Sequence, residues 1–313
     1  MSFSFRPAIR QNTPLIVGLA GPSKSGKTMS AHRLAVGLAQ GGQVAMINTE
    51  GPRGHQYADK FKYLAVDMME PFSLKKYTEA IKAAAEIKPA VLIIDSVSHA
   101  HEGQGGMLDQ HEAELDRLAG ENYEKRNRMT WAAWVKPKQD EAVMINTMLQ
   151  MACHIVLAFR AKEKIKIVKG QNPVDLGWQP IASDRIHFET AFTLLLPPHS
   201  KGKPDLAASE FREPYDAMVK DEQLSEDLGR RLAAWAAGGA PNERPAGSAP
   251  APGPAPDPGK KKEDFAEIME RERKRLGDER FFEILGAEGY ERVEEIIKRE
   301  AQIKIYRIMT EAK

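Results

Sequence analysis

A single cysteine, Cys153, in 313 residues excludes a disulfide framework and suits a reducing compartment. Its neighbours Ala152 and His154-Ile155-Val156 make it a buried structural thiol rather than a reactive one. No apolar run approaches the roughly 20 residues that a bilayer span needs. Residues 1–10 contain no apolar core of the kind a secretory signal carries. These absences lead to the expectation of a soluble, cytoplasmic chain with no membrane partner. Neither sign of charge dominates: 45 Lys and Arg against 44 Asp and Glu leave a net charge of +1. Any nucleic-acid surface therefore has to be a local patch. Hydrophobic content of 42% is enough for one large or two smaller cores.

What the chain does contain is uneven. Residues 238–259, GGAPNERPAGSAPAPGPAPDPG, are mostly Pro, Ala and Gly, with proline at seven positions. Each proline removes a donor and fixes φ, so the segment reads as an extended, disordered linker. It separates a large domain, residues 10–237, from a short module, residues 260–313, in which 14 basic residues balance 14 acidic ones. The short module reads as three amphipathic helices, 263–276, 278–285 and 290–311. Phe281, Phe282, Ile284, Leu285, Val293, Ile296, Ile297, Ile303 and Tyr306 are its candidate core. At about 50 residues that core is marginal, which leaves open a solvated appendage or a docking module for a protein partner.

In the large domain strands and helices alternate. Leu15–Ala20, Val44–Asn48, Val91–Ile94, His154–Phe159 and Ala191–Leu196 read as buried strands. Met29–Gln40, Ser73–Ile87, Gln139–Met151 and Asp221–Ala237 read as helices. In Gln139–Met151, the methionine-rich face reads as core. The pattern predicts an α/β fold with a mostly parallel central sheet flanked by helices.

The most informative segment is Gly21-Pro22-Ser23-Lys24-Ser25-Gly26-Lys27-Thr28, which fits G-x-x-x-x-G-K-[ST] between a strand and a helix. Glycines let backbone N–H groups turn inward around phosphate oxygens, and the helix N-terminus adds a favourable dipole. Lys27 would reach the β- and γ-phosphates, and the Thr28 hydroxyl would ligate Mg²⁺. Asp95 ends the apolar run Val91–Ile94, the position from which a carboxylate holds the same ion. Glu50 follows the second strand, so it shares the strands' carboxyl rim with the ligand and could activate an attacking water. Read by itself, it could equally be a surface carboxylate.

Val44–Glu50, followed six residues later by Tyr57-Ala58, resembles the corresponding segment of RecA-like recombinases, and Val91–Val97 resembles their second nucleotide-binding strand. The stretch Trp131–Lys164 is closer to the short RecA-like ATPases of bacteriophages, including single-strand annealing proteins. The resemblance covers about residues 13–200. It implies a RecA-like P-loop fold, ATP as ligand, Glu50 as catalytic base and Tyr57 against the adenine ring. Where cellular recombinases carry a glutamine that senses the γ-phosphate, this chain has Arg160, which could contact that phosphate or pair with a carboxylate. Barely a dozen residues precede the first strand, so the recombinases' polymerisation segment is not read and filament formation does not carry over.

Beyond Arg160, Lys162, Lys164 and Lys166 alternate, and an extended strand would put all three on one face, opposite phosphates of single-stranded DNA. Trp178 could add a stacking platform. The same lysines could instead protect a solvated edge hairpin. Lys125, Arg126, Arg128, Trp131, Trp134, Lys136 and Lys138 form a second basic and aromatic stretch, equally readable as a helix with core tryptophans. His99, His101 and His111 suit no ordinary zinc spacing and are expected in a loop around Gly103–Gly106. By analogy of fold, Arg185 and Lys201 or Lys203 could reach a neighbouring subunit in a homo-oligomer. The expectation is a Mg²⁺-dependent, DNA-stimulated ATPase acting on single-stranded DNA in phage-type recombination or annealing. A motor or loader in replication or packaging, and a non-hydrolysing ATP switch that recruits partners, are the alternatives.

Overall fold

In the computed structural model the apolar runs of the first half become neighbours in one sheet. Residues 11–166, 173–238 and 265–287 are described, together with 290, 293, 305, 308 and 309. The chain divides into two units, Met1–Glu243 and Arg244–Lys313.

The first unit has strands β1 (Ile16–Gly21), β2 (Val44–Asn48), β3 (Leu64–Asp67), β4 (Val91–Asp95), β5 (His154–Lys166), β6 (Val174–Pro180), β7 (Phe192–Leu195) and β8 (Asp205–Phe211). They lie in the order β3-β2-β4-β5-β1-β7-β8, with β6 hydrogen-bonded to the far half of β5. All neighbours in this order are parallel except β7 and β8; β6 runs antiparallel to β5. This is an α/β architecture with a mostly parallel sheet, the arrangement of a P-loop nucleotide-binding fold.

Alternation along the strands divides the core into two layers. Val91 and Ile93 face α1 (Lys27–Ala39) and α8 (Glu226–Ala237), where Leu34, Leu38, Leu228 and Leu232 close the layer. Leu92 and Ile94 face α2 (Leu74–Glu86) and α6 (Val135–Leu149), against Tyr77, Ile81, Met144 and Met148. Each such side chain, wholly buried, contributes about 1.5–3 kcal/mol. Ser73 caps α2, its hydroxyl accepting from the Lys76 N–H at 3.3 Å. Between β4 and β5 the chain also forms α3 (His99–Glu102), α4 (Met107–Ala119) and α5 (Tyr123–Ala133). The short α7 (Asp184–Phe188) precedes β7.

Some boundaries differ from those read in the sequence. The helix α6 begins at Val135 rather than Gln139, because Pro137 falls in its first turn, where a missing N–H leaves nothing unpaired. Its Met144 and Met148 and the following Met151 are buried, as expected of a core face, whereas Val143 and Leu149, expected on the same face, are exposed. The strand β5 runs on to Lys166 instead of stopping at Phe159, because β6 pairs with its second half. The histidines expected in a loop stand on helices: His99 and His101 in α3, His111 in α4.

In the second unit α9 (Phe265–Leu276) and α10 (Asp278–Ala287) meet at Gly277. Phe281, Ile284 and Leu285 are buried there with Met269, Ile305 and Met309, whereas Phe282 stays outside. Most of the expected linker and most of the third expected helix lie outside the described residues. Among the described residues, no helix is long and apolar enough to cross a membrane.

Candidate nucleotide site

Strand register assembles the site. Gly21 lies opposite Arg160, Asn48 opposite both Asp95 and Asp67, and Asp95 opposite Ala158. The carboxyl ends of five neighbouring strands therefore share one rim, the edge at which parallel α/β sheets take their ligands.

The loop Pro22–Gly26 leaves β1 at this rim and enters α1 at Lys27. Lys24 and Gly26 take positive φ, 64° and 94°. At Gly26 a Cβ would also sit 2.6 Å from the Gly202 nitrogen, so only glycine fits. The contact has a purpose: the Gly202 N–H donates to the Ser25 carbonyl at 2.9 Å, and the Ser200 hydroxyl to the same oxygen at 3.2 Å. Residues 200–202, from the turn between β7 and β8, thus back the phosphate loop from outside. The Lys27 ammonium donates to the Pro22 carbonyl at 2.7 Å, inside its own loop. Burial lowers the Lys27 pKa, while the Asp95 and Glu50 carboxylates act to raise it.

One residue further, the Thr28 hydroxyl donates to Asp95 Oδ2 at 2.7 Å. Asp95 is buried, and burial pushes its carboxyl upward while the Thr28 hydrogen bond opposes that shift. A hydroxyl and a carboxylate are hard oxygen donors, and a buried acid gains from a cation, so the pair suits a divalent metal ion. Glu50 stands across the rim, gripped by Arg160: Nη2 donates to its two oxygens at 2.9 and 3.1 Å, and Nε to one of them at 3.1 Å. Lys27, Thr28, Asp95, Glu50 and Arg160 are therefore brought together. Of the two readings open for Arg160, the carboxylate pair is the one present here.

Tyr57 follows a 3-10 turn, Gly51–His55, and lies edge-on to His32, one helical turn beyond Thr28, with ring centroids 6.2 Å apart. Phe61 and Tyr63 complete the ring cluster around His32. His32 is buried, and that burial lowers its pKa to about 4.

A buried polar layer beneath the rim went unread in the sequence. The Thr49 hydroxyl meets His99 Nδ1 at 2.7 Å and accepts from the Ser96 N–H at 2.7 Å. The Tyr77 hydroxyl donates to the Ser96 carbonyl, and the Ser98 hydroxyl accepts the Arg160 N–H at 2.9 Å. Phe72 stacks on His99 at 4.6 Å. His99 thus ties α3 to the strand end carrying Glu50. A histidine four residues after the acidic strand end was the only available signal.

The basic residues behave differently from one another. The register shift opposite Glu163–Ile165 places its extra residue in β6, between Asp175 and Trp178, so the alternation of Lys162 and Lys164 along β5 is uninterrupted. Lys162 pairs with Glu102 at 3.1 Å, Lys164 is exposed, and Lys166 closes the strand. Trp178 is half-buried and packs against the core, so it is not a free-standing platform. In the second basic stretch, Arg126 pairs with Glu112 and Asp116, Lys136 pairs with Glu114 at 3.1 Å, and Trp134 packs on the core. Trp131, in contrast, is 80% exposed beside exposed Lys125, Arg128 and Lys138. Lys203 pairs with Asp221 at 3.0 Å; Arg185 donates to the Lys138 carbonyl at 3.1 Å. His111 bonds the Thr130 carbonyl and stacks on Trp134.

A family model described as AAA domain matches residues 13–196, which hold the phosphate loop, Glu50, Asp95 and Arg160. No curated protein matched the sequence.

Proposed function

The chain belongs to the AAA-domain family, with a nucleotide-binding ATPase domain, and from that premise we propose a Mg²⁺-dependent ATPase that acts on single-stranded DNA in phage-type recombination or annealing. The observation that carries the catalytic part is the meeting of Lys27, the Thr28–Asp95 pair and the Glu50–Arg160 pair on one rim. On ATP binding Lys27 exchanges the Pro22 carbonyl for the β- and γ-phosphates, beside the N–H groups of Ser23–Thr28. Thr28 and Asp95 are the residues that would hold Mg²⁺, which supplies charge neutralisation on the β- and γ-phosphate oxygens. Arg160 releases Glu50 and turns to the γ-phosphate, a more highly charged partner. Glu50 then orients a water and takes its proton as the water oxygen attacks phosphorus. The bond to the bridging oxygen breaks, and ADP and phosphate leave. Tyr57 offers its ring to adenine, favouring ATP over a smaller base.

Support for the DNA part is local. The strand that carries Arg160 runs straight into the hairpin that carries Lys162 and Lys164, so a phosphate backbone there would lie close to the γ-phosphate contact. The grip of Arg160 on Glu50 also suits the alternative, a non-hydrolysing ATP switch that recruits partners. One experiment separates these: steady-state ATP turnover with and without single-stranded DNA, alongside a strand-annealing assay. DNA-stimulated turnover with annealing supports the proposal. Turnover without annealing points to a motor or loader, and ATP binding with no turnover under either condition points to the switch.

A further inference from the structure

Glu50 is aimed by its neighbour in sequence. Asn48 ends β2 and is almost wholly buried, at 1% exposure, yet none of its polar groups is idle. Its Oδ1 accepts the Glu50 N–H at 3.0 Å. Its Nδ2 donates to the Gly51 carbonyl at 2.7 Å and to Asp67 Oδ1 at 2.6 Å. The Gly51 and Asp67 oxygens can only accept and the Glu50 N–H can only donate, so the three partners fix one orientation of the amide. The backbone on both sides of Glu50 is thereby clamped to a side chain rooted in the sheet. Gly54 closes over the amide so tightly that a Cβ there would meet Asn48 Oδ1 at 2.0 Å. His55 reaches Asp67 Oδ1 at 2.7 Å, which ties the turn leading to Tyr57 into the same cluster. The Asn48 hydrogen bond, followed by that of His55, holds the Asp67 carboxyl below its ordinary range.

We infer that Asn48 is a positioning residue for Glu50, held in orientation by Asp67. The inference rests on Glu50 being the base that activates water. Asn48 has no bond to Arg160, Lys27 or the phosphate loop, so its effect reaches the hydrolytic groups through the Glu50–Gly51 backbone. A displacement of about 1 Å in a group that orients water costs on the order of 100-fold in rate.

The test uses the full chain and five variants: Glu50→Gln, Asn48→Leu, the double variant of these two, Asp67→Ala and Asp67→Asn. Asn48→Leu is expected to lower kcat on the order of 100-fold, while affinity for a non-hydrolysable ATP analogue stays within about threefold. The double variant is expected to be no slower than Glu50→Gln, since residues that act as a unit are not additive. Asp67→Ala, altered at the more exposed end of the cluster, keeps the fold if Asn48→Leu does not. It is expected to lose about tenfold in kcat, with recovery in Asp67→Asn, which retains an acceptor oxygen. Normal turnover in Asp67→Ala, or a double variant that multiplies the two single losses, overturns the positioning role while leaving Glu50 as the base. Full-rate hydrolysis by Glu50→Gln overturns the base assignment itself, and this inference with it.

Discussion

Replacing Arg160 with leucine separates folding from turnover. The guanidinium makes three hydrogen bonds to Glu50, with side-chain exposures of 45% and 23%. A pair so open to water is worth at most about 1 kcal/mol of stability. The Arg160 backbone N–H, bonded to Ser98, is untouched by the substitution. Unfolding in urea should therefore shift by no more than about 1 kcal/mol. Turnover should behave differently. If the guanidinium moves to the γ-phosphate as negative charge spreads there, its loss removes a charge-assisted contact made in the transition state, worth 10³–10⁵-fold on the scale of catalytic arginines, roughly 4–7 kcal/mol. Single-turnover hydrolysis with ATP in excess of its dissociation constant isolates that step from binding. Folding stability within about 1 kcal/mol of wild type, together with a rate loss above about 100-fold, fits the exchange. Hydrolysis within a few-fold of wild type, or a stability loss of several kcal/mol, would show Arg160 to be structural and sink the reasoning.

Three further outcomes follow from close packing and burial. Gly26→Ala forces a left-handed φ of 94° on alanine and drives a Cβ into the Gly202 backbone, so nucleotide binding should disappear with a loss of about 2 kcal/mol or more in a urea titration; retained ATP affinity would contradict the packing argument. The His32 pKa is depressed from 6.5 to about 4, so the unfolded chain takes up the proton first and stability declines as pH falls through that window. His32→Phe keeps the ring contacts and removes the titration, which should reduce the loss between those pH values by on the order of 3 kcal/mol; an unchanged acid slope would refute it. Burial raises the Cys153 thiol to about 11. At pH 8 only about 0.1% is thiolate, so an aromatic disulfide reagent should label it slowly until urea unfolds the chain, and rapid native labelling would count against that burial.

What could be read in advance followed the strength of the local signal. β1, β2, β4 and β7 are buried along their whole length, so their sequences are mostly apolar, and α2 carries a clear stripe. β3 was invisible because all four of its residues, Leu64–Asp67, are exposed at the sheet's edge and only pairing with β2 defines it. β6 and β8 were missed because none of their residues is fully buried and each is held by a single antiparallel neighbour. The loop, Asp95 and Glu50 were legible since their spacing is local. Asn48 and Asp67, Thr49 and His99, and Ser25 and Gly202 meet only through strand register and loop closure, and no window of sequence contains both partners.

The brace on the outside of the phosphate loop has a consequence for affinity. With the Ser25 carbonyl bonded to Gly202 and Ser200, and the Gly202 carbonyl in turn accepting from Leu224, the loop's shape is held by the protein's own backbone. A triphosphate that enters a rigid cradle does not have to order it, and the ordering entropy is not subtracted from binding. Changes at residues 200–202, nearly 180 positions from the motif in sequence, should therefore raise the nucleotide dissociation constant without removing a single ligand contact.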